Sequence, residues 1–350
     1  MNDGWINSEQ ALRRHIKAYA PILDKRIQAQ LDHHCKAIID AASVVALQGI
    51  SPSQPLRLLN IHRKDVIVSA TELRFPDARL ALDKTVPDND MAPRGPQPVS
   101  LLFLVPGTGH CLRAKGQAYT SDVDSGQTLR VNIEQVYVHC SRAAVRSGLW
   151  SDGRVHDRSD SPRPDTGTDK LTKAHAFIAH SPYLLLGSRD EEGGADISPR
   201  GGPPGFVRWQ NSRTLLIPEY PGNRVARTLR NIIANDHLQL LFLQPHNEGV
   251  VRVSGQARIS CQTRQLESLK SEGKTPRLCI ELRIEALQYV EKDTALAKSL
   301  LWEPDCFVPE HQLAKFSDIL AEHMNGRGVL GKATSLAVRA VVRHDLKHLY

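Results

Sequence analysis

An arginine set among glycines at the end of a strand can hold an anion, because exposed backbone N–H groups stand beside a fixed guanidinium. Ser198-Pro199-Arg200-Gly201-Gly202-Pro203-Pro204-Gly205 has that composition. A plain glycine-proline turn reads the same way. A second anion signal follows. Residues 214–218 read as a strand, Glu219-Tyr220-Pro221-Gly222-Asn223 as a turn, and Arg224 as the start of a helix that carries Arg227 and Arg230. Free N–H groups at a helix start attract phosphate, and cations placed there oppose the helix dipole unless an anion is bound. A third cluster lies earlier, in His139-Cys140-Ser141-Arg142-Ala143-Ala144-Val145-Arg146-Ser147-Gly148-Leu149-Trp150, where helical spacing puts His139, Arg142 and Arg146 on one face.

The elements that must position these groups come in two copies. Leu101-Leu102-Phe103-Leu104-Val105-Pro106 continues to Gly116-Gln117-Ala118. The segment 139 residues later, Leu240-Leu241-Phe242-Leu243-Gln244-Pro245, continues to Gly255-Gln256-Ala257. Nine of these eighteen positions are identical without a gap. Arg146 to Trp150 is echoed by Lys298 to Trp302. Such a repeat implies a duplicated unit. Each copy lacks what the other keeps. Thr294 and Lys298 stand where Arg142 and Arg146 stand, and copy one has neither the Ser-Pro-Arg-Gly-Gly run nor the Pro-Gly-Asn turn.

Helical spacing covers much of 8–48, with Ala11, Leu12, Ile16 and Ala20 on one face, and 31–47 reads as a second helix running into a strand. Short strands are expected at 56–60, 65–70, 99–105, 111–118 and 129–138, the last passing into a helix up to Trp150. Residues 151–170 are almost free of apolar side chains and read as a linker. Copy two opens with a helix at 171–179. Strands follow at 183–188, 195–199, 206–210 and 214–218, then a helix at 224–235, then strands at 239–243, 250–259 and 278–287. Another helix is expected at 310–324, and a basic, amphipathic tail runs to 350. Many short strands with few helices and frequent Gly/Pro turns predict a mainly β (α+β) fold with a small barrel in each half. The expected units are 1–150, a linker 151–170, a second unit 171–310 and a tail 311–350.

Composition narrows the function. The apolar fraction of 41% and charged fraction of 24% are ordinary for a globular protein, and the 45 basic and 38 acidic residues are interspersed. No basic run is interleaved with aromatics, which argues against nucleic acid. No apolar stretch approaches the roughly 20 residues of a membrane span. The six cysteines lie far apart without a C-x-x-C pair, and the first residues lack a signal-peptide pattern, so a reduced, cytoplasmic protein is expected. His33-His34-Cys35 hints at a metal, but consecutive helical residues diverge by about 100°, and no metal is expected. G-x-S-x-G, P-loop and G-x-G-x-x-G signatures are missing.

Taken in order, the Ser-Pro-Arg-Gly segment, the Pro-Gly-Asn turn, the Leu-Leu-Phe-Leu strand and the His-Cys…Arg-Ser-x-Leu-Trp segment resemble the FMN-binding split-barrel family related to pyridoxamine 5′-phosphate oxidase. The resemblance covers 177–310 and the later half of copy one. It implies two tandem split β-barrels with flanking helices, packed as an intramolecular pseudo-dimer, with FMN in the crevice between them. It also implies that Ser198, Arg200 and Gly201 contact the flavin, and that Pro221, Gly222, Asn223 and Arg224 form the phosphate turn, with Arg227 as the alternative cation. His139, Cys140, Arg142, Arg146 and Trp150 would come from across the interface. A second Asn is usual in the family where Arg224 stands. Because copy two has no His-Cys pair, one composite site per chain is expected, its mirror image degenerate.

The reading that follows is an FMN-dependent oxidoreductase. It would move a hydride or electrons between a small substrate and dioxygen or NAD(P)H, with His139 and Arg200 near the ring. The alternative is a non-catalytic flavin- or haem-binding carrier or sensor on the same barrel. Neither the substrate nor further self-association of the chain is legible.

Overall fold

Every residue of Leu-Leu-Phe-Leu is apolar, so the strand carrying it needs cover on both faces rather than one. The computed structural model shows how both copies meet that demand. It describes residues 4–49, 54–61, 66–76, 95–123, 126–151, 169–222, 224–326 and 338–339.

The chain opens with β1 (Trp5–Ile6), α1 (Glu9–His15), a 3-10 turn at Pro21–Arg26 and α2 (His33–Ala41). An antiparallel sheet then forms from β2 (Val44–Gln48), β3 (Arg57–Asn60), β4 (Ile67–Val68), β5 (Glu72–Phe75), β6 (Gln97–Leu104), β7 (Cys111–Val123) and β8 (Gly126–His139). Their spatial order is β3-β2-β6-β7-β8-β5-β4. After α3 (Arg142–Ser147) and α4 (Lys170–His180) come β9 (Tyr183–Arg189), β10 (Ala195–Gly201), β11 (Arg208–Asn211), β12 (Thr214–Pro218), α5 (Arg227–Ala234), β13 (His237–Leu243), β14 (Val250–Ser260), α6 (Thr263–Ser268) and β15 (Cys279–Val290). The second sheet reads β10-β9-β13-β14-β15-β12-β11, the same topology strand for strand, with β1 added beside β14. Two helices close the described chain, α7 (Thr294–Lys298) and α8 (Phe316–Asn325).

Alternation along the repeated strand now has a physical reason. Leu101 and Phe103 point into the core of the first sheet, while Leu102 and Leu104 point into the layer between the sheets. In β13 Leu240 and Phe242 face the second core, and Leu241 and Leu243 face the shared layer. The repeated glycine marks a bulge. Register shifts at Gly116 in β7 and at Gly255 in β14. A Cβ there would sit 1.7 Å from the Asn132 carbonyl oxygen, or 2.0 Å from that of Arg283, so only glycine fits the bend.

The ends of the chain are exchanged between the cores. Ile6 and Leu12 belong to the core of the second sheet, whereas Val308, Leu313 and Ile319 belong to that of the first. Among the described residues no helix is long and apolar enough to cross a membrane.

Several sequence expectations shift. Within 8–48 the expected second helix is α2 and runs on into β2, but the first helix stops at His15, a 3-10 turn follows at Pro21–Arg26, and Ala20 is exposed. The strand at 72–75 escaped notice because its Glu-Leu-Arg-Phe alternates over only four residues. The helix expected at 310 begins instead at Phe316, after a 3-10 turn at Glu310–Gln312. The linker residues 152–168 and most of the basic tail lie outside the described residues.

Candidate functional site at the junction of the two copies

Gly201 ends β10 with so little bulk that α3 of the other copy lies directly against it. A Cβ on Gly201 would be 2.1 Å from the Ala143 carbonyl oxygen. That close approach brings the arginines of α3 onto the turn after β12. Arg142 Nη1 donates to the Pro221 carbonyl oxygen at 3.2 Å, and Arg146 donates to the carbonyl oxygens of Pro221 (3.4 Å) and Gly201 (3.5 Å). The Arg146 guanidinium also lies 4.8 Å over the Tyr220 ring.

A half-open cleft runs along this seam. From the first copy it takes Arg26, Arg113, Tyr137, His139, Cys140, Arg142 and Arg146. From the second it takes Asp196, Ser198, Arg200, Glu219, Tyr220, Pro221, Gly222 and the segment Val225 to Thr228. Six guanidinium groups thus face two carboxylates, a formal surplus of four positive charges. Both carboxylates are engaged: Asp196 pairs with Arg113 at 2.8 Å, and Glu219 pairs with Arg200. Buried Nε atoms of Arg26, Arg146 and Arg200 have no hydrogen-bond partner. Burial lowers the pKa of Arg26 and brings that of Arg146 down to about 10. Anion binding would relieve both strains.

The start of helix α5 lines the cleft. It starts at Arg227, its N-cap is Ala226, and no side chain caps it. Its first N–H groups therefore lack the partner that Ser, Thr, Asp or Asn would supply. Arg224 and Ala226 both take left-handed backbone (φ 64° and 54°), a strained route into a helix that a ligand at its mouth would justify.

His139 also lines the cleft. Burial, reinforced by the Arg113 charge, pushes its pKa down to about 3, so the ring is neutral near pH 7. Arg113 and Arg26 both lie over the ring of Tyr137, at 4.7 and 5.1 Å from its centroid.

Of the residues singled out in the sequence, Ser198, Arg200, Pro221, Gly222, Arg227, His139, Cys140, Arg142 and Arg146 line this cleft, and Gly201 borders it. Two do not. The helix was expected to open at Arg224; it opens three residues later, and the Arg224 carbonyl oxygen instead accepts a hydrogen bond from Arg13 at 3.0 Å. Trp150 packs on Trp302 (5.5 Å) and Phe307 (5.8 Å) beside the apolar layer between the copies. Asn223 lies outside the described residues. Sequence reasoning missed Arg26, Arg113, Tyr137, Asp196 and Glu219. Arg113 had a signal, since it is one of the nine positions identical in the repeat.

The symmetry-related position carries different side chains. Strand registers equate Leu59 with Arg200, Leu58 with Pro199, Val290 with His139 and Gln288 with Tyr137. Apolar side chains have replaced the cation and the imidazole, and α7 lies against β3 there with Leu296 and Trp302 in the shared layer.

The family model described as pyridoxamine 5′-phosphate oxidase matches residues 171–291. Comparison with curated proteins finds no match. Among solved structures, the chain is similar to HupZ of Group A Streptococcus, at 17% identity over 35% of this chain and 94% of that one (TM-score 0.30). General Stress Protein 26 from Bacillus anthracis is similar at 12% identity over 35% and 96% (TM-score 0.29). HutZ, the heme storage protein from Vibrio cholerae, is similar at 13% identity over 32% and 88% (TM-score 0.26).

Proposed function

We propose, from the match of residues 171–291 to the pyridoxamine 5′-phosphate oxidase family model, that the chain is an FMN-dependent oxidoreductase with one composite flavin site. The observation that supports this reading is the cleft between the copies, with its surplus of arginine and the uncapped start of α5. The donor set suits a phosphate monoester: N–H groups at a helix start, Arg227 at its first residue, and Arg142 and Arg146 facing the same turn. Ser198, Arg200 and the neutral His139 lie along the remaining wall, where they would meet the ring. When bound, FMN supplies the redox chemistry, passing a hydride or electrons between a small substrate and dioxygen or NAD(P)H. The protein's own part is to hold the phosphate, to place cations along the flavin and to keep His139 uncharged as a hydrogen-bonding group.

A non-catalytic flavin or haem carrier is the second reading. It is favoured by His139, since a neutral imidazole could hold a haem iron and the surrounding guanidinium groups would suit its carboxylates. NAD(P)H consumption under air separates the two. With FMN supplied, the oxidoreductase oxidises NAD(P)H faster than the same FMN free in solution. No acceleration, together with haem displacing FMN, would establish the carrier instead.

A further inference from the structure

Away from the cleft, two helices from opposite ends of the chain bring a second set of chemistry-bearing side chains together. α2 is entered through Asp32-His33-His34, and α8 carries Glu322-His323 in its last turn. One ligand atom from each of Asp32, His33, His34 and Glu322 lies within 4.8 Å of all the others. His34 Nε2 is 3.1 Å from Glu322 Oε2, and His33 Nδ1 is 3.8 Å from Asp32 Oδ2. The divergence of neighbouring helical residues does remove Cys35, which turns into the first core. It does not separate His33 from His34: their ring centroids are 3.8 Å apart, at the first two residues of the helix.

We propose that Asp32, His33, His34 and Glu322 bind a divalent transition metal of the zinc class, and that the ion fastens α8 to α2. Two imidazole nitrogens and two carboxylate oxygens make a borderline N/O donor set that zinc accepts. Tetrahedral bonds of 2.0–2.1 Å would place the four donors roughly 3.4 Å apart, so the set closes by side-chain movements of about 1 Å. An outer partner is already in place. His323 Nε2 lies 3.0 Å from Asp32 Oδ2, its side chain only 4% exposed, and so fixes the orientation of a ligating carboxylate. Entry is open through His33, whose side chain is 52% exposed. The consequence is structural. α8 completes the core of the first sheet from the far end of the chain, and an ion bound only when α8 is docked holds that exchange in place.

The test uses the full-length chain, stripped with chelator and titrated with zinc chloride. Metal content is measured after gel filtration, and melting temperature with and without zinc. One zinc per chain is expected, with saturating zinc raising Tm by about 5 °C. His34→Gln and Glu322→Gln should each weaken zinc binding at least about tenfold. Glu322→Gln alone decides the matter if the histidine variant does not fold. Zinc that fails to bind, or that binds the Glu322→Gln chain unchanged, overturns the site. So does a lower Tm in the variants with no zinc response in the parent chain, since the four side chains would then be a hydrogen-bonded clasp and nothing more. None of these readouts depends on flavin.

Discussion

Arg227→Ala is expected to weaken FMN binding by about 10- to 150-fold, the loss of one charge-assisted phosphate contact worth about 1.5–3 kcal/mol. Titration of FMN fluorescence measures it. The free chain should not suffer, because among the described residues Arg227 makes no ion pair, and its charge bears unfavourably on Arg26, Arg113 and Lys115. Removing it relieves that repulsion, so Tm without flavin stays level or rises while affinity falls. A scaffolding arginine would show the opposite pairing. Arg224→Ala is the internal control: its residue lies outside the cleft, and affinity should change less than about threefold. Equal losses in the two variants would move the phosphate to the Arg224 side of the turn.

Asp196→Ala should produce the largest loss of stability, about 3–5 kcal/mol. Arg113 reaches from β7 of the first copy to Asp196 on β10 of the second. The two side chains are 5% and 0% exposed, and the Arg113 guanidinium also donates to the Ile197 carbonyl oxygen. Lys115 adds a longer contact to the same carboxylate, at 3.9 Å. Without Asp196 a buried guanidinium is left facing Tyr137 and other cations. Burial already draws Arg113 down to about 10 even with its partner present. The shift of the urea midpoint reports the loss. A double variant, Arg113→Met with Asp196→Leu, should recover most of it, because two apolar side chains leave no unpaired charge between the copies. A loss below about 1 kcal/mol in Asp196→Ala would mean that water reaches the pair.

The equivalent arginine of the second copy explains why this pair was hidden in the sequence. Arg252 occupies the position of Arg113 but bonds to Asp293 of its own copy at 2.8 Å, and Asp293 also caps α7. Identity of the two arginines across the repeat announced a shared structural place, not which acid each would meet. That choice depends on how the copies pack, a long-range matter with no local pattern. The β architecture was legible for the opposite reason. Strands covered on both faces leave continuous apolar runs, and Leu240 to Leu243 repeats Leu101 to Leu104 without a gap. Arg142 and Arg146 were legible as one face of a helix, and the turn at Pro221 and Gly222 as a break, but His139, expected on that same face, is the last residue of β8 and not part of α3.

The register of the helix start was not legible. Arg224 and Ala226 take left-handed backbone that neither residue type favours, so a sequence reading starts the helix three residues early. Arg26 was missed because it is delivered by a chain end that crosses between the cores.

Equilibrium dialysis against FMN, followed by heat release and mass identification of the bound flavin, tests the composite site most directly. The account predicts one FMN per chain, because Leu59 and Val290 have replaced Arg200 and His139 at the mirror position. Two FMN per chain would show the mirror position to be a working site, and a chain that takes up none would remove the flavin from this cleft altogether.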